Sequence, residues 1–101
     1  MNFGNKLKKL RIDKSETLHN ISMGTNIDMT LLSKIERGER LPTVEQLKRI
    51  ANYFDLDQDI LLVEITAERI INDYGMNEAT YKAALLVKEK LAHYHKGEPN
   101  E

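Results

Sequence analysis

The chain has 101 residues, of which 41% are hydrophobic and 31% are charged, which is ordinary for a soluble globular protein with room for one compact domain and a short appendage. The absence of cysteine excludes disulfides, zinc–thiolate sites and thiol nucleophiles, and it fits a reducing compartment. No apolar run approaches the roughly 18 residues that span a bilayer, and the first residues lack the apolar stretch of a signal peptide. We therefore expect a cytoplasmic protein with no membrane contact.

The net charge of −1 conceals an uneven distribution along the chain. Residues 1–40 carry eight Lys or Arg and five Asp or Glu, which is a balance of +3. The remaining residues carry seven and eleven, which is a balance of −4. A basic amino-terminal part favours contact with phosphates while the acidic remainder faces away. Solvated helix faces would give the same distribution, so charge alone leaves both interpretations open.

The spacing of apolar residues predicts helices along nearly the whole chain, with no long alternation typical of strands. The first helix is predicted at about residues 5–14. Thr17 is the predicted N-cap of the second helix, and Asp28 is that of the third, which runs to about Arg37. Gly38 suits the position that ends this third helix.

The break between the second and third helices is predicted at residues 24–26, where Asn26 suits a left-handed conformation. A capping box is predicted at residues 43–46, at the start of a fourth helix. Asp57 is the predicted cap of a fifth helix to about Tyr74, and Asn77 that of a last helix to about residue 95.

Two apolar seams at helical spacing distinguish the carboxyl-terminal helices. The seam on the fifth helix consists of Ile60, Val63, Ala67, Ile70 and Tyr74. The seam on the last helix consists of Ala84, Val87, Leu91 and Tyr94. Residues 97–101 are predicted to be a frayed tail.

The string at residues 32–42, LSKIERGERLP, has an apolar residue, Ser, any residue, an apolar residue, Glu, Arg and Gly, with Pro four residues after the glycine. With its flanking helices, this segment resembles the helix-turn-helix of the Cro/phage-repressor superfamily, also called the xenobiotic-response-element (XRE) type, placed here at residues 17–38. The resemblance covers about residues 3–63. It implies an all-α, five-helix phage-repressor-like DNA-binding domain at residues 1–63, followed by a carboxyl-terminal helical extension at residues 64–96.

Three positions depart from the family pattern. Leu18 stands where many members place a Gln that touches a phosphate or braces the recognition helix. Thr25 stands where an apolar residue is usual, and Asn26 where Gly is commoner. These departures put one contact in doubt but not the fold.

The resemblance also implies roles for individual side chains. The recognition helix, at about residues 28–37, is expected to enter the major groove with its first turn at the base edges. The predicted base contacts are Met29, Thr30, Ser33 and Lys34, although Met29 would alternatively pack against a neighbouring loop. The predicted phosphate contacts are Thr17, Arg37 and Arg40. Glu36 is expected to bond within the domain.

The sequence gives no indication of a metal site, a cofactor or an enzyme. His93 and His95 are two residues apart, so on a helix they point to different sides and chelate poorly. We find no glycine-rich phosphate loop, and no nucleophile with an identifiable base and orienting acid.

These observations predict a sequence-specific DNA-binding transcriptional regulator, a repressor or autoregulator that acts as a homodimer on an inverted-repeat operator. The residues predicted to form the dimer are Val63, Ala67, Ile70, Tyr74, Val87, Leu91 and Tyr94. Three alternatives remain open. In the first, the seams fold back onto their own domain. In the second, the chain is an antitoxin-like or restriction–modification controller protein whose carboxyl-terminal helices bind a partner protein. In the third, it is an enzyme accessory with vestigial DNA contacts.

Overall fold

The computed structural model describes residues 2–96, which form six α-helices and no strand. The helices are α1 (Phe3–Asp13), α2 (Leu18–Thr25), α3 (Met29–Glu36), α4 (Val44–Phe54), α5 (Gln58–Tyr74) and α6 (Glu78–Lys96). The predicted all-α class is confirmed. The total is one more than the five helices predicted for the DNA-binding domain, because α6 lies in the extension. The predicted tail at residues 97–101 lies outside the described residues. None of the described helices combines the length and apolar content needed to cross a membrane.

Local side-chain bonds determine where the helices begin. Thr17 accepts a hydrogen bond from the backbone N–H of Asn20 at 3.0 Å, and Asp28 accepts one from that of Thr30 at 3.0 Å. Each bond satisfies an N–H that has no partner within its helix. The predicted caps of α2 and α3 are therefore confirmed. The start of α1 is not as predicted, because Asn2 caps it and the helix begins before residue 5.

The remaining predicted caps are also present. Thr43 and Gln46 form the reciprocal capping box that opens α4. Asp57 accepts bonds from two backbone N–H groups at the start of α5, and Asn77 does so from one at the start of α6. Gly75 separates α5 from α6 with a φ of 86°, a value that glycine adopts without steric cost.

The chain divides into two compact units, and the boundary falls within α5, between Arg69 and Ile70. The amino-terminal unit, up to Arg69, contains the hydrophobic core. Its buried side chains are Phe3, Leu7, Ile21, Ile27, Leu32, Ile35, Leu47, Ile50, Ala51, Phe54, Leu61 and Ile65. The middle of α5 is tied to α1 as well, because the backbone N–H of Phe3 donates to the carboxylate of Glu68 at 2.8 Å. This unit therefore closes its own core around α2 and α3.

The carboxyl-terminal unit, from Ile70 onward, is built differently. None of the described side chains of α6 is buried. Instead, apolar residues of α6 and of the last turn of α5 line an open groove, which we call the α5–α6 groove. It is lined mainly by Ile70, Tyr74, Ala83, Ala84, Val87 and Leu91.

Candidate nucleic-acid interface

The turn between α2 and α3 fixes the angle at which α3 leaves the domain. Asn26 has φ 58° and ψ 36°, so the predicted left-handed conformation is confirmed. The hydroxyl of Ser22 donates to the carbonyl of Ile27 at 2.6 Å, and Arg49 of α4 donates to the carbonyl of Asn26 at 3.5 Å. Both bonds satisfy carbonyls that the turn removes from helical pairing, which restrains the turn from two sides.

Two neighbouring positions show how the unusual sequence of this segment is accommodated. Thr25 is buried where the family usually has an apolar residue, and its hydroxyl donates to the carbonyl of Ile21 at 2.7 Å. The polar group is therefore satisfied. At Gly24, a Cβ would lie 2.2 Å from the ring of Tyr53, so α4 packs against α2 more closely than any other residue would allow.

The exposed surface of α3 carries the predicted base contacts. Leu32 and Ile35 are buried in the core. Met29, at 45% exposure, and Thr30 are exposed, while Ser33 and Lys34 one turn later are half-buried. Because residues four positions apart lie one above the other on a helix, Met29 with Ser33 and Thr30 with Lys34 form two adjacent rows on α3.

A buried ion pair anchors the carboxyl end of α3. The Nε of Arg11 lies 2.7 Å from Oε2 of Glu36, and its Nη2 lies 3.1 Å from Oε1. The two side chains are only 19% and 7% exposed. The hydrogen bonds to Glu36 raise the pKa of the Arg11 guanidinium. The expectation that Glu36 bonds within the domain is therefore confirmed. The bidentate contact joins α3 to α1.

Sequence reasoning did not identify Arg11 as the partner of Glu36. The position of Arg11 could have indicated an inward-facing side chain, because Arg11 falls four residues after the buried Leu7 and so on the inner side of α1. A second contact supports the same junction. At Gly4, a Cβ would lie 2.3 Å from the carbonyl oxygen of Ile35, which shows that α1 lies directly against the end of α3.

The predicted phosphate contacts flank the exposed side of α3 in the sequence and are all exposed. Thr17 lies at the start of α2, where its hydroxyl already acts as a helix cap. Arg40 lies beyond the end of α3. Arg37 is the C-cap of α3, and its guanidinium is paired with Glu39 at 2.7 Å. A second guanidinium nitrogen of Arg37 donates to the hydroxyl of Ser33. In this structure Ser33 therefore supports Arg37.

The predicted dimerisation residues fall into two sets. Ile70, Tyr74, Val87 and Leu91 line the α5–α6 groove. Val63 and Ala67 lie in the amino-terminal unit, where both are exposed, and Tyr94 is exposed on α6. On α5 the residues that enter the core are Leu61 and Ile65, which do not belong to the predicted seam. Four of the seven predicted dimerisation residues therefore lie in one groove, and the other three lie outside it.

Among residues 2–96, no three His, Cys, Asp or Glu side chains gather in a geometry that would hold a metal ion.

The order of helices, the left-handed turn and the exposed α3 match a known domain. A family model described as a helix-turn-helix domain matches residues 4–66. The chain belongs to the XRE-type helix-turn-helix family of transcription regulators. The matched segment contains α1 to α4 and the first half of α5, so the family accounts for the amino-terminal unit. The predicted resemblance to Cro/phage-repressor proteins is thereby confirmed.

One curated relative is similar over part of the chain. The HTH-type transcriptional activator BcrR of Enterococcus faecalis is 36% identical over 62 residues. The match covers 61% of this chain and 30% of BcrR, so the chain spans under a third of that protein's length.

Two solved structures share the fold over most of the chain. The clp gene regulator ClgR of Corynebacterium glutamicum has a TM-score of 0.54 at 20% identity, with 91% of this chain and 87% of that chain covered. A chain of the SinR protein/SinI protein complex has a TM-score of 0.54 at 20% identity, with coverages of 94% and 98%. At this identity the likeness concerns the helical fold.

Proposed function

We propose that the chain binds a specific DNA operator through α3 and regulates transcription there as a homodimer. The observation that carries the proposal is the exposed side of α3, held at a fixed angle by the left-handed turn at one end and by the Arg11–Glu36 pair at the other. A helix that is to contact base edges must be presented rigidly, because small displacements break hydrogen bonds in the groove. Membership of the helix-turn-helix family supports the same conclusion.

Each side chain on the exposed side of α3 has a definite chemistry toward DNA. Lys34 donates to guanine O6 or N7, and Thr30 forms a hydrogen bond with a base edge while its methyl group contacts a thymine methyl. Met29 offers apolar contact. Ser33, which accepts a hydrogen bond from Arg37 in the free chain, is the fourth proposed base contact through its hydroxyl. Thr17, Arg37 and Arg40 bind phosphates, which position the protein without contributing sequence preference.

A dimer is proposed because one small module contacts too few bases for tight and specific binding. The groove residues and the exposed seam supply an apolar surface that a second copy would cover; Leu91, for example, is 55% exposed. Two copies related by a twofold axis would bind half-sites about one helical turn apart on an inverted repeat. We assign DNA binding to residues 1–63 and dimerisation to residues 64–96, and we propose that the effect is repression, including of the chain's own gene.

A partner protein is the second candidate, and the α5–α6 groove is the observation that favours it. Exposed apolar surface of this kind is covered by some partner in most soluble proteins. The similar SinR chain was solved as a complex with the SinI protein. A protein of antitoxin-like or restriction–modification controller type would use the groove in this way. Sedimentation of the pure chain separates the two, because the homodimer forms without any other protein.

The function is tested by titrating the protein against the DNA upstream of its own gene and against a scrambled duplex of equal composition, at two salt concentrations. We expect the native duplex to bind more tightly at both, and binding to both to weaken as salt rises. Lys34→Ala should reduce the preference for the native duplex by about 1–3 kcal/mol, whereas Arg37→Ala should weaken both duplexes alike.

Lys82→Ala is the matched control, since it removes an exposed lysine of α6. It should leave binding to both duplexes unchanged. Equal affinity for the native and scrambled duplexes would refute autoregulation at that site. If neither duplex binds near physiological salt, the partner-protein function takes precedence.

A further inference from the structure

The turn after α3 places an acidic side chain against an arginine that faces DNA. The backbone N–H of Gly38 donates to Ile35 at 3.0 Å and that of Glu39 donates to Lys34 at 2.9 Å, which is the bonding pattern of a Schellman turn. Gly38 has the positive φ of 78° that this turn requires. The turn fixes the position of Glu39, which contacts Arg37 through two bonds of 2.7 and 3.4 Å.

We infer that Glu39 is an internal competitor for Arg37, which a DNA phosphate must displace, so that Glu39 sets how tightly the chain holds DNA of any sequence. This inference rests on the proposed function. A carboxylate and a phosphate present the same pair of oxygens to the planar guanidinium, so Arg37 binds one or the other through the same two nitrogens. While Glu39 occupies them, the pair carries no net charge toward the DNA.

Comparison with the Arg11–Glu36 pair at the same end of α3 shows why the Arg37–Glu39 pair is able to open. The Arg11–Glu36 pair is largely buried, so breaking it would leave an unpaired charge out of contact with water. Arg37 and Glu39 are 53% and 52% exposed, so water solvates either side chain once the pair separates. Of these two pairs, the exposed one is therefore suited to exchange its partner when DNA arrives.

The freed carboxylate also matters. Hydrogen bonding from Arg37 lowers the pKa of Glu39, and the charge of Lys34 adds to this, so Glu39 is ionised at neutral pH. After the exchange it stays within the turn that follows α3, because the backbone bonds of that turn do not depend on Arg37. The negative charge then repels the phosphates and limits non-specific binding.

The test measures binding of wild type and Glu39→Gln to the native and scrambled duplexes over a range of salt. We expect Glu39→Gln to bind both duplexes more tightly, by about two- to fivefold. The dependence of log affinity on log salt should steepen by up to about 0.9, the amount that corresponds to one phosphate contact, because the variant lacks the negative charge that offsets the contact of Arg37.

Two further variants separate competition for Arg37 from a general change of charge. Asp13→Asn removes an equal charge from the exposed Lys9–Asp13 pair on α1, and it should change affinity much less. In an Arg37→Gln background, Glu39→Gln should have a clearly smaller effect, because only the repulsion between Glu39 and the phosphates is then removed and no arginine remains to be released. Melting curves confirm that all variants fold.

The inference is overturned if Glu39→Gln leaves scrambled-duplex affinity unchanged, or if it strengthens binding equally with and without Arg37. The proposed function is judged separately, by the preference of wild type for the native duplex. If wild type binds both duplexes equally but Glu39→Gln still binds more tightly, the competition between Glu39 and phosphate stands and the proposal of a specific operator fails. Absence of all DNA binding, in the variant as well, would overturn both.

Discussion

The two units of the chain use the same helical periodicity with opposite results. In the amino-terminal unit, apolar residues at steps of three and four enter a shared core, as Leu32 and Ile35 of α3 do. In the carboxyl-terminal unit, Val87 and Leu91 follow the same steps and remain exposed. The comparison shows that periodicity predicts which side of a helix is apolar, but not what covers it. The first unit closes its own core, whereas the described part of the second leaves its apolar side chains exposed.

The largest expected effect comes from shortening one leucine in each unit. Leu32→Ala should lower the free energy of unfolding by about 2–5 kcal/mol, because Leu32 is fully buried and its loss leaves a cavity. Leu91→Ala should change it by about 0.5 kcal/mol or less when the protein is dilute and monomeric.

Urea unfolding at several protein concentrations measures both variants. The effect of Leu91→Ala should grow as concentration rises, because a dimer stabilises the folded chain by mass action. A large, concentration-independent loss for Leu91→Ala would mean that this side chain is buried within its own chain, and the contrast between the units would fail.

A smaller effect is expected from the two ion pairs that flank α3. Glu36→Gln leaves the charge of Arg11 poorly paired in a largely buried site, so it should cost roughly 1.5–3 kcal/mol of stability. Glu39→Gln is the matched control at an exposed pair, and its melting temperature should stay close to that of wild type. Equal destabilisation of the two variants in thermal melts would contradict the view that only the Arg11–Glu36 pair anchors α3.

Features that depend on neighbours in the sequence were predictable. The caps at Thr17, Asp28 and Asn77 are bonds between a side chain and a backbone N–H two or three residues later, so the local sequence specifies them. The left-handed Asn26 follows from the few residue types that tolerate that conformation. Because these local features determine where α2 and α3 begin, the exposed side of α3 was predictable as well.

Features that join distant segments were not predictable. Arg11 and Glu36 are 25 residues apart, and nothing in the spacing of either residue identifies the other. The contact between Gly24 and Tyr53 likewise depends on how α2 meets α4. The pairing of Arg37 with Glu39 is close in sequence, but it requires the turn at Gly38 to bring the side chains together. Sequence analysis identified the apolar seam on α5 but not the core positions of that helix, which are Leu61 and Ile65.

We propose that the amino-terminal unit contacts the bases while the carboxyl-terminal unit joins two copies. The most direct test compares wild type with Leu91→Glu for binding to a full inverted repeat and to a single half-site. His93→Glu, an exposed position elsewhere on α6, is the control. We predict that Leu91→Glu remains folded, sediments as a monomer and binds the half-site as wild type does, but loses the added affinity for the full site. Unchanged full-site affinity, or a folded variant that no longer binds the half-site, would contradict the account.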